Sequence, residues 1–278
     1  NMPRSEPGPE VAQQRPNVVL IGIDSLRTDV IGTRGDPGYT PHLTAFLREG
    51  QLFSDVTTPL ARTFPSWVAL LSGRSPMSTG VRENLLPRGA IHVGPTLADR
   101  LHAAGYRTVF ATDEVRFSNI DTSYGFEQVI TPRIGTTDFL LGTLNDVPLS
   151  NLFANTRVAQ WLFPDTYGNR AAAVTYDPDT FITRVDRELR GSESPLFLAT
   201  HLTLPHWPYH WQFGQLLRVL ERKGVLDNAI VVVFSDHGEG LGLPSDNLLY
   251  SAAAKAAVGR LLVWMNGHGT SVLSPNQY

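Results

Sequence analysis

From Asn17 the chain runs Val18-Val19-Leu20-Ile21-Gly22-Ile23 before meeting its first charge at Asp24. A short, unbroken apolar stretch of this kind suits a strand covered on both faces. Thr108-Val109-Phe110-Ala111, Leu196-Phe197-Leu198-Ala199 and Ile230-Val231-Val232-Val233-Phe234 have the same character, and Leu261-Leu262-Val263-Trp264 offers a fifth strand. Between them, apolar residues recur at helical spacing over 40–49, 66–71, 96–104, 179–189 and 215–223. Gly50, Gly73, Gly105 and Gly224 follow four of these stretches, as glycine often does at helix C-termini. Strand and helix alternating along the whole chain predict an α/β fold, a largely parallel sheet sandwiched between helices.

Two stretches break this rhythm. Residues 1–16 are polar and aperiodic, a tail or linker without the apolar segment of a signal peptide. Residues 135–178 carry Phe139-Leu140-Leu141, Leu152-Phe153 and Trp161-Leu162-Phe163, spaced as in short amphipathic helices. They read as an insertion in a domain spanning 17–278, either packed on the domain or facing a membrane.

Composition narrows the chemistry. The 278 residues are 42% hydrophobic and 18% charged, with a net charge of -3, which excludes a wholly disordered chain and a broad nucleic-acid footprint. No apolar run reaches the length of a spanning helix. With no cysteine there is no disulfide, thiolate ligand or thiol nucleophile, so oxygen and imidazole groups must do the chemistry.

In parallel α/β sheets, ligands bind beyond the carboxyl ends of the strands. The first strand ends in Asp24-Ser25-Leu26-Arg27. The run near 198 leads into His201 and Pro205-His206-Trp207, the run near 232 into Asp236-His237-Gly238-Glu239, and the last into Gly267-His268. Taken together, these strand ends deliver hard oxygen and imidazole donors suited to a divalent ion such as Zn²⁺ or Mn²⁺. A nucleophile candidate sits in Arg62-Thr63-Phe64-Pro65-Ser66, where a loop feeds a helix whose N-terminus favours an anion. Thr63 is either a helix cap or a hydroxyl nucleophile, and the latter needs a base or a metal beside it.

These residues, in this order, resemble the sulfatase-like branch of the alkaline phosphatase superfamily. The resemblance rests on Asn17 to Asp24, Thr63-Phe64-Pro65-Ser66, Leu70-Leu71-Ser72-Gly73-Arg74-Ser75-Pro76, Thr79-Gly80-Val81, Ala104-Gly105-Tyr106-Arg107-Thr108, Pro205-His206-Trp207-Pro208-Tyr209 and Ser235-Asp236-His237-Gly238-Glu239. It implies the superfamily's alkaline-phosphatase-like sheet, with Asp24, Asp236, His237 and Thr63 as metal ligands and Thr63 also as nucleophile. It also implies that His206 touches the substrate or protonates the leaving group, and that His268 helps bind the transferred group; His201, from its place at a strand end, is a further candidate substrate contact. Arg27 and Arg62 either clamp anionic oxygens or form ordinary surface ion pairs.

Departures from the sulfatase pattern shape the expected activity. Sulfatases carry Cys or Ser, convertible to formylglycine, where Thr63 stands, and arginine where Trp67 stands. Ser25 replaces their second aspartate, and Thr112-Asp113-Glu114 lacks their lysine. A threonine nucleophile resembles instead the phosphoethanolamine and phosphoglycerol transferases and the phosphodiesterases. The expectation is a metal-dependent phosphotransferase or phosphodiesterase acting through a covalent phospho-threonine. Its substrates would be phosphate esters such as lipid headgroups or envelope polymers. Sulfate or phosphonate ester hydrolysis and non-catalytic anion or partner binding are the alternatives. One divalent ion is expected, Zn²⁺ or Mn²⁺ before Ca²⁺ or Mg²⁺, with room left for a second. The resemblance also implies an extracytoplasmic, membrane-anchored protein, and a chain short for its family after Trp211 and Tyr278.

Overall fold

The computed structural model describes residues 15–27, 31–33, 36–38, 40–53, 56–86, 91, 93–115, 119–132, 148–154, 156–162, 178–190, 195–203, 209–238 and 261–266. The expected substrate contacts His206 and His268, Glu239, most of the tail and much of 135–178 lie outside them. The strands are β1 (Asn17–Ile23), β2 (Ile31–Thr33), β3 (Asp36–Gly38), β4 (Gln51–Phe53), β5 (Arg107–Thr112), β6 (Gln128–Ile130), β7 (Leu196–Leu202), β8 (Ala229–Ser235) and β9 (Leu261–Asn266). The helices are α1 (Pro41–Leu47), α2 (Thr63–Ser72), α3 (Pro76–Thr79), α4 (Leu97–Ala103), α5 (Pro148–Ala154), α6 (Arg157–Leu162), α7 (Pro178–Glu188) and α8 (Tyr209–Arg222).

Seven strands form one sheet in the order β4-β9-β8-β1-β7-β5-β6. The five strands from β8 to β6 are parallel, while β9 runs antiparallel to β8 and β4 antiparallel to β9. The fold is therefore the predicted α/β architecture with an antiparallel edge. The β2–β3 ladder and the exposed strand β4 carry no comparable apolar run. Among the described residues, no helix is long and apolar enough to cross a membrane.

Side chains alternate across a strand, so the apolar run of β1 feeds two cores. Val19, Ile21 and Ile23 join Leu43 of α1, Phe181 and Val185 of α7 and Phe213, Leu216 and Leu220 of α8. Leu20 joins Phe64, Trp67, Val68 and Leu71 of α2 and Ala98 of α4, with Phe110, Phe197 and Phe234 from neighbouring strands. Removing a side chain such as Phe110 or Leu198 from water contributes about 1.5–3 kcal/mol. Asn17 fixes the start of β1: its amide donates to Val225 O at 2.8 Å and accepts from Leu196 N at 2.8 Å.

Local signals set the helix ends that orient the site. Thr96 and Asp99 form a reciprocal capping box at α4. Gly73 closes α2 at φ 66°, a left-handed conformation that side chains with a Cβ disfavour. Gly105 and Gly224 also take positive φ, whereas Gly50 does not. The structure starts two of the predicted helices earlier: α2 at Thr63 rather than 66, and α8 at Tyr209 rather than 215.

Candidate active site

Because β1 and β8 are adjacent and parallel, Ile23 pairs with Ser235, and the residues that follow leave the sheet side by side. Asp24 and Ser25 extend β1, and Asp236 and His237 extend β8. Ser25 turns at φ 55°, which lets its backbone N–H donate to Asp236 Oδ1 at 3.2 Å. Its hydroxyl donates to Asp24 Oδ1 at 2.8 Å and lies 3.3 Å from His237 Nδ1. His237 N–H donates to the same Asp236 Oδ1 at 2.9 Å, so one carboxylate oxygen is held by two backbone amides.

Helix α2 delivers the hydroxyl. Arg62, exposed and making no side-chain cap bond, occupies the N-cap, so Thr63 is the first helical residue. The hydroxyl of Thr63 thus serves no cap; it lies 3.4 Å from His237 Nε2. Ser66 locks the helix to β8: its Oγ lies 2.9 Å from Asp236 O and 2.7 Å from Leu60 O, with Thr58 Oγ1 at 2.8 Å. Asn84 Oδ1 accepts from Phe64 N–H at 3.1 Å, satisfying one of the amides that a helix start leaves unpaired.

The remaining separations are too long for good hydrogen bonds. His237 Nε2 stands 3.4 Å from Asp24 Oδ1 and 3.6 Å from Asp236 Oδ2, and His201 Nε2 stands 3.7 Å from the same Asp236 oxygen. Two donors sharing one ion at about 2.1 Å in tetrahedral geometry sit roughly 3.4 Å apart. Asp236 Oδ2 is buried without a hydrogen bond, a costly state that a cation would relieve. Donor atoms of Asp24, His201 and Asp236 lie within 4.8 Å of one another. This set of hard oxygens and imidazole fits a divalent ion.

Electrostatics support that fit. Burial, then the neighbouring Asp24 charge, pushes the Asp236 carboxyl up to about 7, against the pull of His237 and two amides. Burial, then His237, pushes His201 down to about 3, leaving a neutral imidazole of the kind that binds metal. Burial of such groups without compensation would favour neutral forms, whereas an ion would favour the carboxylate.

The structure therefore brings together Asp24, Thr63, Asp236 and His237. Arg27 is half-buried just past Asp24, and Arg62 is exposed at the helix start. His201 departs from the expected substrate contact: it has no exposed surface and lies edge-on to Trp67, ring centroids 5.4 Å apart. Its place inside β7, on the face α2 covers, turns the ring into the core beneath Asp236. The positioning roles of Ser25, Ser66 and Asn84 were not legible in the sequence, because serine and asparagine are common in turns and the bonds to Asp236 and His237 reach far along the chain.

A sequence model of the Sulfatase family matches residues 16–212, well over half of the chain. Arylsulfatase A of Bos taurus is 36% identical over 105 residues, 36% of this chain and 21% of that protein. The matched stretch thus spans about a fifth of that relative. The crystal structure of Ps i-CgsB in complex with k-i-k-neocarrahexaose superposes with a TM-score of 0.64 at 18% identity, covering 92% of this chain and 67% of that one. The lipoteichoic acid synthase LtaP from Listeria monocytogenes superposes with a TM-score of 0.55 at 12% identity, covering 92% and 66%. With the site at the carboxyl ends of β1 and β8 and the family match across two-thirds of the sequence, this chain belongs to the sulfatase family.

Proposed function

We propose that this chain is the catalytic part of a metal-dependent enzyme that cleaves or transfers phosphate esters, with Thr63 as nucleophile. The observation that carries the reading is the Thr63 hydroxyl, released from capping and facing His237 across the Asp24–Asp236 cluster. Asp24, Asp236, His237 and Thr63 would hold the ion. When bound, the ion supplies Lewis-acid stabilisation of the phosphoryl oxygens and favours the ionised hydroxyl.

The residues of this chain then divide the work. Thr63 gives its proton to solvent, its Oγ1 bonds to phosphorus as the ester P–O bond breaks, and the leaving alcohol takes a proton from His206, a role that the family resemblance implies for this residue. The dipole of α2 favours an anion at Thr63, while its first-turn amides are already engaged: Phe64 N–H is held by Asn84, Pro65 has none and Ser66 N–H bonds Arg62 O. Ser66 and Ser25 keep the hydroxyl and the carboxylates in register. Water or an acceptor alcohol then attacks the phospho-threonine and restores Thr63.

Sulfate ester hydrolysis is the second reading, favoured by the likeness to arylsulfatase A. Two side chains weigh against it. Trp67, where sulfatases carry arginine, is fully buried, and Asp113, in the segment that lacks their lysine, is buried and hydrogen-bonded. Neither lends a positive charge to hold a sulfate. Lipid headgroups or envelope polymers and an extracytoplasmic, membrane-anchored setting belong to the same proposal. Exposed Leu149, Leu152 and Trp161 on α5 and α6 suit an apolar surface nearby.

Chromogenic phosphodiester, phosphomonoester and sulfate esters, assayed with and without chelator, test the reading. Phosphodiester turnover that chelator abolishes is expected, with mass retained on Thr63 during turnover. Faster turnover of the sulfate ester would overturn it.

A further inference from the structure

We propose that His201 is an additional ligand of the metal site, set beneath Asp236, and that with His237 it makes the site select Zn²⁺ over Ca²⁺ and Mg²⁺. This rests on the metal-dependent reading above and assigns a ligand which that reading does not include.

The first argument is an unbalanced account of polar groups. His201 has no exposed surface, and neither of its ring nitrogens makes a hydrogen bond. A core histidine kept for packing normally satisfies its N–H on a carbonyl or carboxylate, because an unsatisfied buried donor costs about 1–3 kcal/mol. Asp236 Oδ2, 3.7 Å from His201 Nε2, is equally without a hydrogen bond. Two complementary groups that face each other, too far apart to bond and both unsatisfied, define the edges of a cation site.

The second argument is donor supply. The aspartate that the family pattern places after Asp24 is Ser25, whose hydroxyl is turned to Asp24 and His237. The loop after β1 therefore offers a single carboxylate, that of Asp24. The parallel register places His201 directly beside Gly22 of β1, two residues before that loop, so its imidazole enters from the adjacent strand end. Donor atoms of Asp24, His201 and Asp236 already lie within 4.8 Å of one another.

The third argument is orientation. Trp67 lies edge-on to His201 and also to Phe110 and Phe234, with centroid separations of 5.3–5.4 Å. Its ring fills the space over Gly22, where an added Cβ would come within 2.5 Å of Trp67 Cζ2. The same tryptophan that removes the family's arginine thus braces the imidazole. Two imidazoles beside two carboxylates favour a borderline ion, whereas Ca²⁺ and Mg²⁺ prefer all-oxygen shells.

Metal-stripped wild-type protein, His201→Phe and His201→Gln are titrated with Zn²⁺ and with Ca²⁺ against a chromophoric chelator, with far-UV circular dichroism confirming the fold. Zn²⁺ affinity is expected to fall at least about ten-fold in both variants, while Ca²⁺ affinity stays within about two-fold. In wild-type protein, the His201 ring nitrogens, assigned by NMR through their own ring correlations, are expected to shift on stoichiometric Zn²⁺; this reading stands even if a variant does not fold. Wild-type protein that binds neither ion overturns the metal-dependent reading itself. Zn²⁺ binding that leaves the His201 nitrogens unshifted overturns the ligand assignment alone, as does unchanged Zn²⁺ affinity in folded variants.

Discussion

The hydroxyl of Thr63 lies 3.4 Å from Nε2 of His237, although 174 residues separate them. The contact exists because Ser66, one helical turn on, anchors α2 to the carbonyl of Asp236. The start of α2 and the end of β8, which carry the proposed nucleophile and ligands, are tied by this hydrogen bond. Thr63→Ala is expected to lower phosphodiester turnover by roughly 10³-fold or more, with substrate affinity little changed, because the attacking atom is gone. Thr63→Ser should retain measurable turnover. Steady-state kinetics on both variants check this, and an active Thr63→Ala would remove the nucleophile from the scheme.

Ser66→Ala tests the anchor. It removes the Ser66 hydroxyl from Asp236 O and one of the two hydroxyls from Leu60 O, while the Thr63 hydroxyl itself remains. The expected result is a stability loss of about 1–2 kcal/mol and a fall in kcat larger than any change in KM. Urea unfolding and steady-state kinetics supply the two readouts.

Gly22→Ala probes the wall between the site and the core. The new methyl would meet the ring of Trp67 at 2.5 Å and Phe234 at 3.0 Å, both in a close-packed aromatic cluster. Overpacking of this kind costs about 1–3 kcal/mol, so a lower urea midpoint is expected. An unchanged midpoint would show that Trp67 moves freely.

Asp113 carries a different load. Its Oδ1 accepts from Thr203 N at 3.0 Å and Thr203 Oγ1 at 2.7 Å, and its Oδ2 accepts from Gln212 Nε2 at 2.8 Å. It thereby ties together the two sides of the segment that contains His206. Asp113→Ala leaves these buried donors without that acceptor, and a loss of about 2–4 kcal/mol is expected in urea unfolding.

The pH dependence of the metal-free protein follows from two opposed shifts. Asp236, raised from 3.8 to about 7, holds a proton in the folded state that the unfolded chain has lost, so its contribution declines as pH rises across that window. His201, lowered from 6.5 to about 3, lacks a proton that the unfolded chain holds, so its contribution declines as pH falls from 6.5 to 3. Between 3.8 and 6.5 the two slopes offset; Asp24 and His237 are the charges that face them. In Asp236→Asn only the histidine slope remains, and stability should rise with pH through this window relative to wild type. Urea unfolding of chelator-treated proteins at several pH values checks the sign. A variant profile parallel to wild type would contradict it.

Much of this protein can be read along the chain. The apolar runs of β1, β5, β7 and β8 mark strands covered on both faces, because two helical layers demand hydrophobic side chains in both directions. Asp24, Asp236 and His237 are visible because a parallel sheet presents its ligands at carboxyl ends, and a polar residue ending an apolar run marks such an end. The direction of β9 and the edge strand β4 were not visible, since three exposed residues carry no pattern and an apolar run does not state its polarity.

What the sequence by itself determined is the fold class, the strand ends and the residue types available for chemistry. These depend on local periodicity and on which side chains water rejects. Only the tertiary structure decided which of those residues meet. The sheet order β8-β1-β7-β5 sets strands from opposite ends of the chain side by side. That order turns His201 inward beneath Asp236, places Trp67 over Gly22 and closes Asp113 on Thr203 and Gln212. Each such contact joins residues 35 or more positions apart, and no local pattern encodes it. It is fixed by the packing of whole elements, which settles at once the direction of every side chain they carry.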